Sequence, residues 1–407
     1  MSPYVRLSGA MMQTSNVYFD PYDVEIHRDP YPTYKRLRDA APLYYNERHD
    51  FYAVSRYNDV ERGLADRETF ISGRGNVLEF VKSGVDMPPG IVAAEDPPTH
   101  TIHRGLMSRV FTPRKVAALE NTIRAFCAEF LDPLVGAQRF DLIAEFAAQM
   151  PMRVISMLIG IPEADQVAIR DTSNANLRTK AGKGIRIRQE SVVLGGEFAE
   201  YVDWRIDNPS DDIMTDLPNA EFEDHDGTRR RLTRQELLTY IYVIAGAGNE
   251  TSARLIGWTA KVLADHPDQR RELVEDRLLI PNAIEEILRF ENPAPTAARY
   301  VAADVELHDG VVPAGSAIVI LMGAANRDER KYPDPNRFDI RRDIGMQLTF
   351  GHGAHFCLGA ALARLEGRIA LDELLTRFPE WDVDADGARM ATSSTVRGWE
   401  CLPLVVA

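Results

Sequence analysis

One long helix is the sequence feature that most constrains how this chain folds. Thr233 and Glu236 have the spacing of a capping box, in which each side chain satisfies a backbone N–H group at the start of a helix. The apolar run that follows continues to about Asp265. At 1.5 Å per residue such a helix is about 50 Å long, which is enough to cross a whole domain.

The remaining segments are chiefly helical. The predicted helices are Thr99–Phe111, Lys115–Val135, Phe140–Gly160, Glu163–Asn176, Gln189–Asp207, Pro281–Phe290 and Leu358–Phe378. Short β-prone runs occupy Ala298–Leu307, Ala317–Met322 and Leu402–Val406. Glycines and prolines predict a long irregular loop over Ser72–Pro98, and Asn208–Arg231 is typical of an exposed hairpin or loop. We therefore predict a mainly α chain with small peripheral β-sheets.

Composition excludes several classes of protein. The net charge of -14 argues against sustained contact with a nucleic-acid backbone, which needs a dense basic surface. Three widely spaced cysteines form neither a disulfide framework nor a paired zinc motif, and we expect Cys127 and Cys401 to be core residues. No signal peptide or membrane-spanning run is visible. These features together predict a cytoplasmic protein with no membrane span.

One segment has the character of a cofactor-binding loop: Phe350-Gly351-His352-Gly353-Ala354-His355-Phe356-Cys357-Leu358-Gly359. Glycines let a backbone bend tightly and approach a flat cofactor. Cys357 stands just before the helix expected from Leu358, and a helix N-terminus favours the thiolate that binds metals. The alternative interpretation is a buried structural thiol beside a glycine-rich turn.

This segment resembles the haem-binding signature of the cytochrome P450 family, Phe-Gly-x-Gly-x-(His or Arg)-x-Cys-x-Gly, and all six specified positions match. The resemblance implies a bacterial soluble P450, in which residues 1–407 form a single domain with the P450 fold. It implies haem b as the cofactor and Cys357 as the iron ligand. His355 would contact a haem propionate, and the loop residues Phe350, Gly351 and Gly359 would lie against the haem.

A second motif lies within the long helix. Ala247-Gly248-Asn249-Glu250-Thr251-Ser252 resembles the family's Ala/Gly-Gly-x-Asp/Glu-Thr-Thr motif, with serine in place of the second threonine. Ile244, Ala247, Gly248 and Thr251 share one helical face, where small residues let the helix lie close to the haem. Close packing between helices is the alternative explanation for Ala247 and Gly248. In the family, the acid and the alcohol relay protons during O2 activation, and the resemblance assigns these roles to Glu250 and Thr251.

Two further motifs resemble the family's structural and propionate-binding elements. Glu286 and Arg289 fit Glu-x-x-Arg, and a third partner, Arg337, would complete a buried ionic network that holds the cysteine loop. His100 and Arg104 share a helical face, and by the resemblance they bind haem propionates together with Arg299. Each of these motifs, taken alone, is also compatible with solvated surface charges.

The resemblance implies a monooxygenase that inserts one atom of O2 into a substrate C–H bond. Because no flavin or iron–sulfur module is visible, electrons would come from NAD(P)H through a ferredoxin reductase and a ferredoxin. Arg104, Arg109, Arg114 and Lys115 would supply local positive charge for a docked ferredoxin. The alternatives are a peroxide-driven hydroxylase, a haem-binding sensor or carrier without catalysis, and a structural protein without haem.

The substrate is predicted less sharply. By the resemblance, the pocket would be lined mostly by apolar side chains, from Leu78, Phe80, Val81, Met87, Val243, Ile244, Ala247, Pro295, Ala297 and Val396. Such a lining favours a hydrophobic substrate of the fatty acid, terpenoid or steroid class. Asn176–Arg188 carries five cations and no acid. We interpret this segment as a solvated lid, and the alternative is that Arg178 and Lys180 bind the carboxylate of a substrate.

Overall fold

Helices form most of the regular structure. A computed structural model describes residues 17–169, 179, 182–185, 195–210 and 212–406. Its α-helices, in chain order, are α1 Val24–Arg28, α2 Tyr31–Ala40, α3 Tyr57–Ala65, α4 Leu78–Ser83, α5 Thr99–Ser108, α6 Pro113–Ala117, α7 Glu120–Leu131, α8 Met150–Ile159, α9 Ala199–Asp207, α10 Ile213–Asn219, α11 Arg234–Asp265, α12 Pro267–Glu275, α13 Ile280–Phe290, α14 Met322–Ala325 and α15 Ala360–Arg377. Residues 163–169 are also helical. Among the described helices, none is both long and apolar enough to cross a membrane.

The strands form small sheets. They are β1 Leu43–Asn46, β2 Phe51–Val54, β3 Phe70–Ile71, β4 Arg139–Asp141, β5 Phe222–Glu223, β6 Arg229–Arg230, β7 Ala297–Val301, β8 Val305–Leu307, β9 Gly310–Val312, β10 Ala317–Ile320, β11 Trp381–Val383, β12 Arg389–Met390, β13 Trp399–Cys401 and β14 Pro403–Val406. The largest has the order β1-β2-β10-β7-β3, and β11-β14-β4 form a second sheet. The remaining strands of the described residues form three two-stranded sheets, β12-β13, β5-β6 and β8-β9.

The long helix α11 organises the core. Its start is fixed by the capping box, in which Thr233 accepts from the Glu236 N–H and Glu236 accepts from the Thr233 N–H. It packs against α8, α13 and α15. Its N-terminal half contributes Ile241 and Ile244 to one apolar cluster, and its C-terminal half contributes Leu255 and Leu263 to another. Packing on several faces, more than the capping box, stabilises a helix of this length.

The fold class is the mainly α chain with small sheets that the sequence predicts, and the capping box is present. Some elements differ from the prediction. Phe140–Gly160, predicted as one helix, contains β4, a π-helical turn at Ile143–Ala147 and α8. Lys115–Val135 is broken between α6 and α7, and the predicted loop Ser72–Pro98 contains α4.

Two of the three cysteines lie outside any candidate site. Cys127 is fully buried in the core cluster, as predicted. Cys401 is only partly buried on β13, so its assignment to the core is wrong.

Candidate functional site

The cysteine loop folds back on itself between Leu348 and Gly359. The Cys357 N–H donates to the Phe350 carbonyl at 2.8 Å, and the Gly351 N–H donates to the Leu348 carbonyl at 3.0 Å. Gly353 has a φ of 71°, and a Cβ there would lie 3.1 Å from the Ala65 Cα. Glycine is therefore required at this position both by backbone conformation and by the close approach of α3.

Cys357 lies at the end of this loop, three residues before α15 begins. Its side chain is exposed, although surrounding protein removes enough water to raise the pKa of the thiol, as expected for a recess. The Gly359 N–H and the cations of Arg104 and Arg364 oppose this rise. The N–H of Gly359 at the helix terminus thus acts to lower the thiol pKa, as expected, but desolvation outweighs it.

A buried ionic network holds the segment that leads into the loop. Arg289 donates to both carboxylate oxygens of Glu286 at 2.7 Å and to the carbonyls of Asn326 and Pro335 at 2.9 Å. The Asn326 side chain in turn bonds the Leu348 N–H and the Thr349 hydroxyl, each at 2.8 Å. The network thus connects α13 directly to the start of the cysteine loop.

The third arginine of this network is Arg342, and the prediction of Arg337 is wrong. The Arg342 Nε donates to Glu286 at 3.1 Å, and its other nitrogens donate to three backbone carbonyls. The Arg337 side chain is 69% exposed and lies 3.7 Å from the Asp339 carboxylate, and the part of Arg337 that joins the network is its backbone carbonyl, which accepts from Arg342. Its neighbour Phe338 takes the buried position instead.

Four predicted propionate-binding residues converge beside the loop. The rings of His100 on α5 and His355 lie 4.2 Å apart between centroids. Arg104, one turn after His100, donates to the Phe356 carbonyl at 2.6 Å. Burial, together with the nearby charges of Arg299, His100 and Arg104, lowers the pKa of His355 to about 3. Desolvation followed by Arg104 likewise lowers the pKa of His100.

Among the described residues, this cluster has unpaired imidazole nitrogens, and Glu95 and Asp96 balance its positive charge only in part. The Nε2 atoms of His100 and His355 are buried and have no hydrogen-bond partner in the part of the chain that the structure describes. Burial lowers the pKa of Arg299 to about 10, and Asp96 only partly opposes this. A ligand with carboxylates at this position would supply acceptors for the imidazole nitrogens and a negative charge to balance Arg299. The two propionates of haem meet that need, and Cys357 lies next to the cluster, so the residues present fit haem.

The predicted acid and alcohol lie side by side on α11. The Thr251 hydroxyl donates to the Ala247 carbonyl at 2.9 Å, and Glu250 accepts from Arg254 at 2.7 Å. Ala247 is exposed, as expected for a residue that faces a ligand space, and the helix runs without a break through this region.

Gly248 does not share the Ala247 face. A Cβ at this position would lie 2.8 Å from Ile155 on α8, so Gly248 serves close packing between helices. Close packing against α8, the alternative interpretation, therefore accounts for the glycine at 248, while its contact with the cofactor stays a prediction.

The predicted substrate residues are only partly brought together. Leu78 and Ala297 line one small cavity, and Pro295 and Val396 line another that shares Thr296, Ser394 and Thr395 with it. Val81 packs into the core with Tyr34 and Ala298 instead. Phe80, Val243 and Ile244 line neither cavity, and Arg178 and Lys180 fall outside the described residues.

Two charged or titratable side chains near the site are not predicted from the sequence, those of Glu366 and Arg254. Glu366 on α15 is buried beside Ser252, and desolvation raises its pKa to about 8. Arg254 connects Glu250 to the carbonyl of Trp399 on β13. The i, i+4 spacing of Glu250 and Arg254 is the sequence pattern that could have indicated this ion pair.

Comparison with known proteins decides the family. The cytochrome P450 family model matches residues 196–395. Cytochrome P450 123 of Mycobacterium tuberculosis is 38% identical over 392 residues, which cover 95% of this chain and 96% of that protein. The chain belongs to the cytochrome P450 family. This P450 is also 33% identical to the 6-deoxyerythronolide B hydroxylase of Saccharopolyspora erythraea, over 93% of this chain and 96% of that enzyme.

Solved structures agree with the sequence relatives. The crystal structure of CYP109E1 from Bacillus megaterium in complex with testosterone superposes with a TM-score of 0.84 at 28% identity, covering 94% of this chain and 99% of that one. The protein is therefore a haem-dependent P450 monooxygenase with the P450 fold.

Proposed function

We propose that this P450 inserts one atom of O2 into a C–H bond of a small-to-medium hydrophobic substrate, with electrons from NAD(P)H delivered by a ferredoxin reductase and a ferredoxin. The observation that carries the proposal is the convergence of His100, Arg104, Arg299 and His355 beside the accessible thiol of Cys357. We also propose that residues 1–407 form one domain, since α11 contributes to two of the core clusters.

In this proposal, Cys357 would supply the thiolate ligand of the iron, and the four cationic or imidazole groups would hold the propionates. Phe350 and the glycines at 351 and 359 would let the loop lie close to the cofactor. Haem, once bound, supplies the O2-binding and oxidising chemistry. The protein holds and orients the reacting groups and controls protons.

Proton control falls to Glu250 and Thr251. One carboxylate oxygen of Glu250 accepts from Arg254, and the other is buried without a partner among the described residues. In this proposal, that second oxygen exchanges protons with the hydroxyl of Thr251, the next residue of α11. If the hydroxyl leaves the Ala247 carbonyl, it can donate toward the exposed face of α11 instead. A positioned acid and alcohol of this kind accelerate proton transfer.

The substrate class rests on apolar lining. Leu78, Pro295, Ala297 and Val396 line the small cavities, beside polar and charged residues such as Asp20, Glu79, Thr296 and Arg397. The apolar part of this lining favours a ligand with a hydrophobic body. The solved relative with bound testosterone supports a steroid or terpenoid, and a fatty acid is equally compatible with the lining.

Carbon monoxide binding tests the iron ligand. The reduced, carbon monoxide-treated protein is expected to show the red-shifted absorption typical of thiolate ligation. Cys357→Ala should abolish that band, and Cys401→Ala, which removes a partly exposed thiol on β13, should leave it intact. A normal band in the Cys357→Ala variant would contradict the proposed ligand.

Substrate binding and electron supply are tested together. Hydrophobic compounds of the three classes are screened by the optical spin-state change of the haem, and positive compounds are then incubated with ferredoxin and its reductase. We expect oxygenated product, and less of it with peroxide alone. Faster turnover with peroxide would favour the peroxide-driven alternative, and no product under any electron supply would favour a sensor or carrier.

A further inference from the structure

A cavity of about 550 Å³ lies away from the cysteine loop. It is an open cavity bounded by the N-terminal segment around α1, by α11 near Lys261, by the β12-β13 hairpin and by described residues 179 and 182–183. Its described lining consists of Pro21, Tyr22, Val24, His27, Arg28, Thr179, Gly182, Lys183, Lys261, Val383, Ala385, Ala388, Arg389, Met390, Ala391, Thr392, Ser393, Ser394 and Trp399. The volume is typical of a pocket that binds a small organic ligand.

The charge of this lining is opposite to that of the whole chain. The chain has 61 acidic and 47 basic residues, yet the described lining includes four Lys or Arg residues and no Asp or Glu. Arg28 pairs with Glu25, and Lys261 pairs with Asp265. Lys183 and Arg389 are in no ion pair with any described residue. Within the described part of the chain, no carboxylate is therefore paired with either of these two cations, although Glu79 lies nearby and accepts from Ser394 and from the Ile185 N–H.

The remaining walls are largely apolar. Val24, Val383, Met390 and Trp399 line the cavity, and the Trp399 ring is fixed by an edge contact with Trp258 at 5.4 Å. An entirely ionic ligand would gain nothing from these walls, and an uncharged one would leave the cations unpaired. A ligand that matches both features has an anionic head and an apolar body.

We propose that this cavity is a binding site for an amphipathic carboxylate, such as a medium-chain fatty acid. Lys183 and Arg389 attract the carboxylate, and Val24, Met390 and Trp399 contact the chain. The described lining includes no residue of the cysteine loop and neither Glu250 nor Thr251, so this site is separate from the haem site. It shares Ser394 with the two small cavities, which places it next to the predicted substrate pocket.

Calorimetry with dodecanoate tests the site in the haem-loaded protein. Saturating 4-phenylimidazole occupies the haem pocket, so that only binding elsewhere is measured. We expect saturable binding of one dodecanoate, and at least tenfold weaker binding of dodecanol and of dodecyltrimethylammonium. Lys183→Gln and Arg389→Gln should each weaken dodecanoate binding about tenfold, as loss of a charge-assisted contact predicts. Arg337→Gln, which removes a similarly exposed arginine outside the cavity, should have no effect.

A variant that fills the cavity tests whether binding depends on the cavity itself or only on surface charge. Ala388→Trp fills the cavity without changing charge and should abolish dodecanoate binding, while the melting temperature reports that the variant is folded. Binding that disappears when 4-phenylimidazole is present would place the acid in the haem pocket and overturn the proposal. Equal affinity in wild type, Lys183→Gln and Arg389→Gln would also overturn it. The carbon monoxide band of each variant reports the haem site independently, so failure here is distinct from failure of the proposed function.

Discussion

At the scale of single residues, Glu366 is a carboxylic acid kept in the core. It lies on α15 with Ser252 as its hydrogen-bond donor, and its other oxygen has no partner among the residues that the structure describes. Burial raises its pKa from 4.5 to about 8, so the folded protein favours the neutral acid. Because the folded pKa is above the unfolded one, this group's contribution to stability is complete below pH 4.5 and is lost as the pH rises toward 8.

We expect Glu366→Gln to remove that pH dependence. The free energy of unfolding of the variant, relative to wild type, should rise with pH between 4.5 and 8 by at most about 1.4 kcal/mol per pH unit. Urea unfolding of both proteins at several pH values in this window measures the difference. A difference that stays constant with pH would show that Glu366 is ionised in the folded protein or has no raised pKa.

Arg342 and Arg337 provide a matched pair of substitutions. Arg342→Ala should lower the free energy of unfolding by about 2–4 kcal/mol, since it removes a charged partner of the buried Glu286 and several bonds to carbonyls. Arg337→Ala should change it by less than about 0.5 kcal/mol, because that side chain is mostly in solvent. Urea midpoints and haem retention distinguish the two, and equal losses would contradict the assignment of Arg342.

The same pair shows what sequence alone can determine. The Glu-x-x-Arg spacing is set within one helix, so Glu286 and Arg289 can be identified from local geometry. Their third partner comes from an irregular segment with arginines at 337, 341 and 342. Which of these turns inward depends on how Phe338 and Ile340 pack into the core, and no local pattern encodes that.

At the scale of elements, the sequence predicts α11 and α13 well because their caps, prolines and apolar periodicity agree. The secondary structure between Phe140 and Gly160 is predicted poorly because it depends on a contact with a distant part of the chain. Its first residues pair with β14 in the register Asp141↔Pro403 and Phe140↔Leu404, a contact between positions more than 250 residues apart. Apolar residues that satisfy a helical period there are held in a strand by tertiary pairing.

The contact between α11 and α8 should be sensitive to the size of residue 248. Gly248→Val should lower the free energy of unfolding by about 1–3 kcal/mol, because the added atoms collide with the Ile155 side chain. Ile155→Ala frees that space, so the double variant should be more stable than the sum of the two single losses. A double-mutant cycle by urea unfolding measures this coupling, and strictly additive losses would show that residue 248 does not face Ile155.

At the scale of the whole molecule, charge is unevenly distributed. The chain carries a net charge of -14, while Arg109, just after α5, and Arg114 and Lys115, on α6, are exposed. Arg104 is less available, since it already donates to the Phe356 carbonyl. An acidic ferredoxin would be repelled by the molecule as a whole and attracted by this local surface, so its docking position depends on few residues.

Reversing two of these charges tests that dependence. The variant Arg109→Glu with Arg114→Glu should slow electron transfer from ferredoxin about tenfold or more at low salt, and the difference should shrink as salt screens the surface. Arg48→Glu with Arg229→Glu changes the net charge equally at exposed positions elsewhere, and stopped-flow reduction should show a much smaller effect. Similar slowing in both double variants would mean that ferredoxin responds only to the total charge. An unchanged rate in the first would mean that it docks on another face.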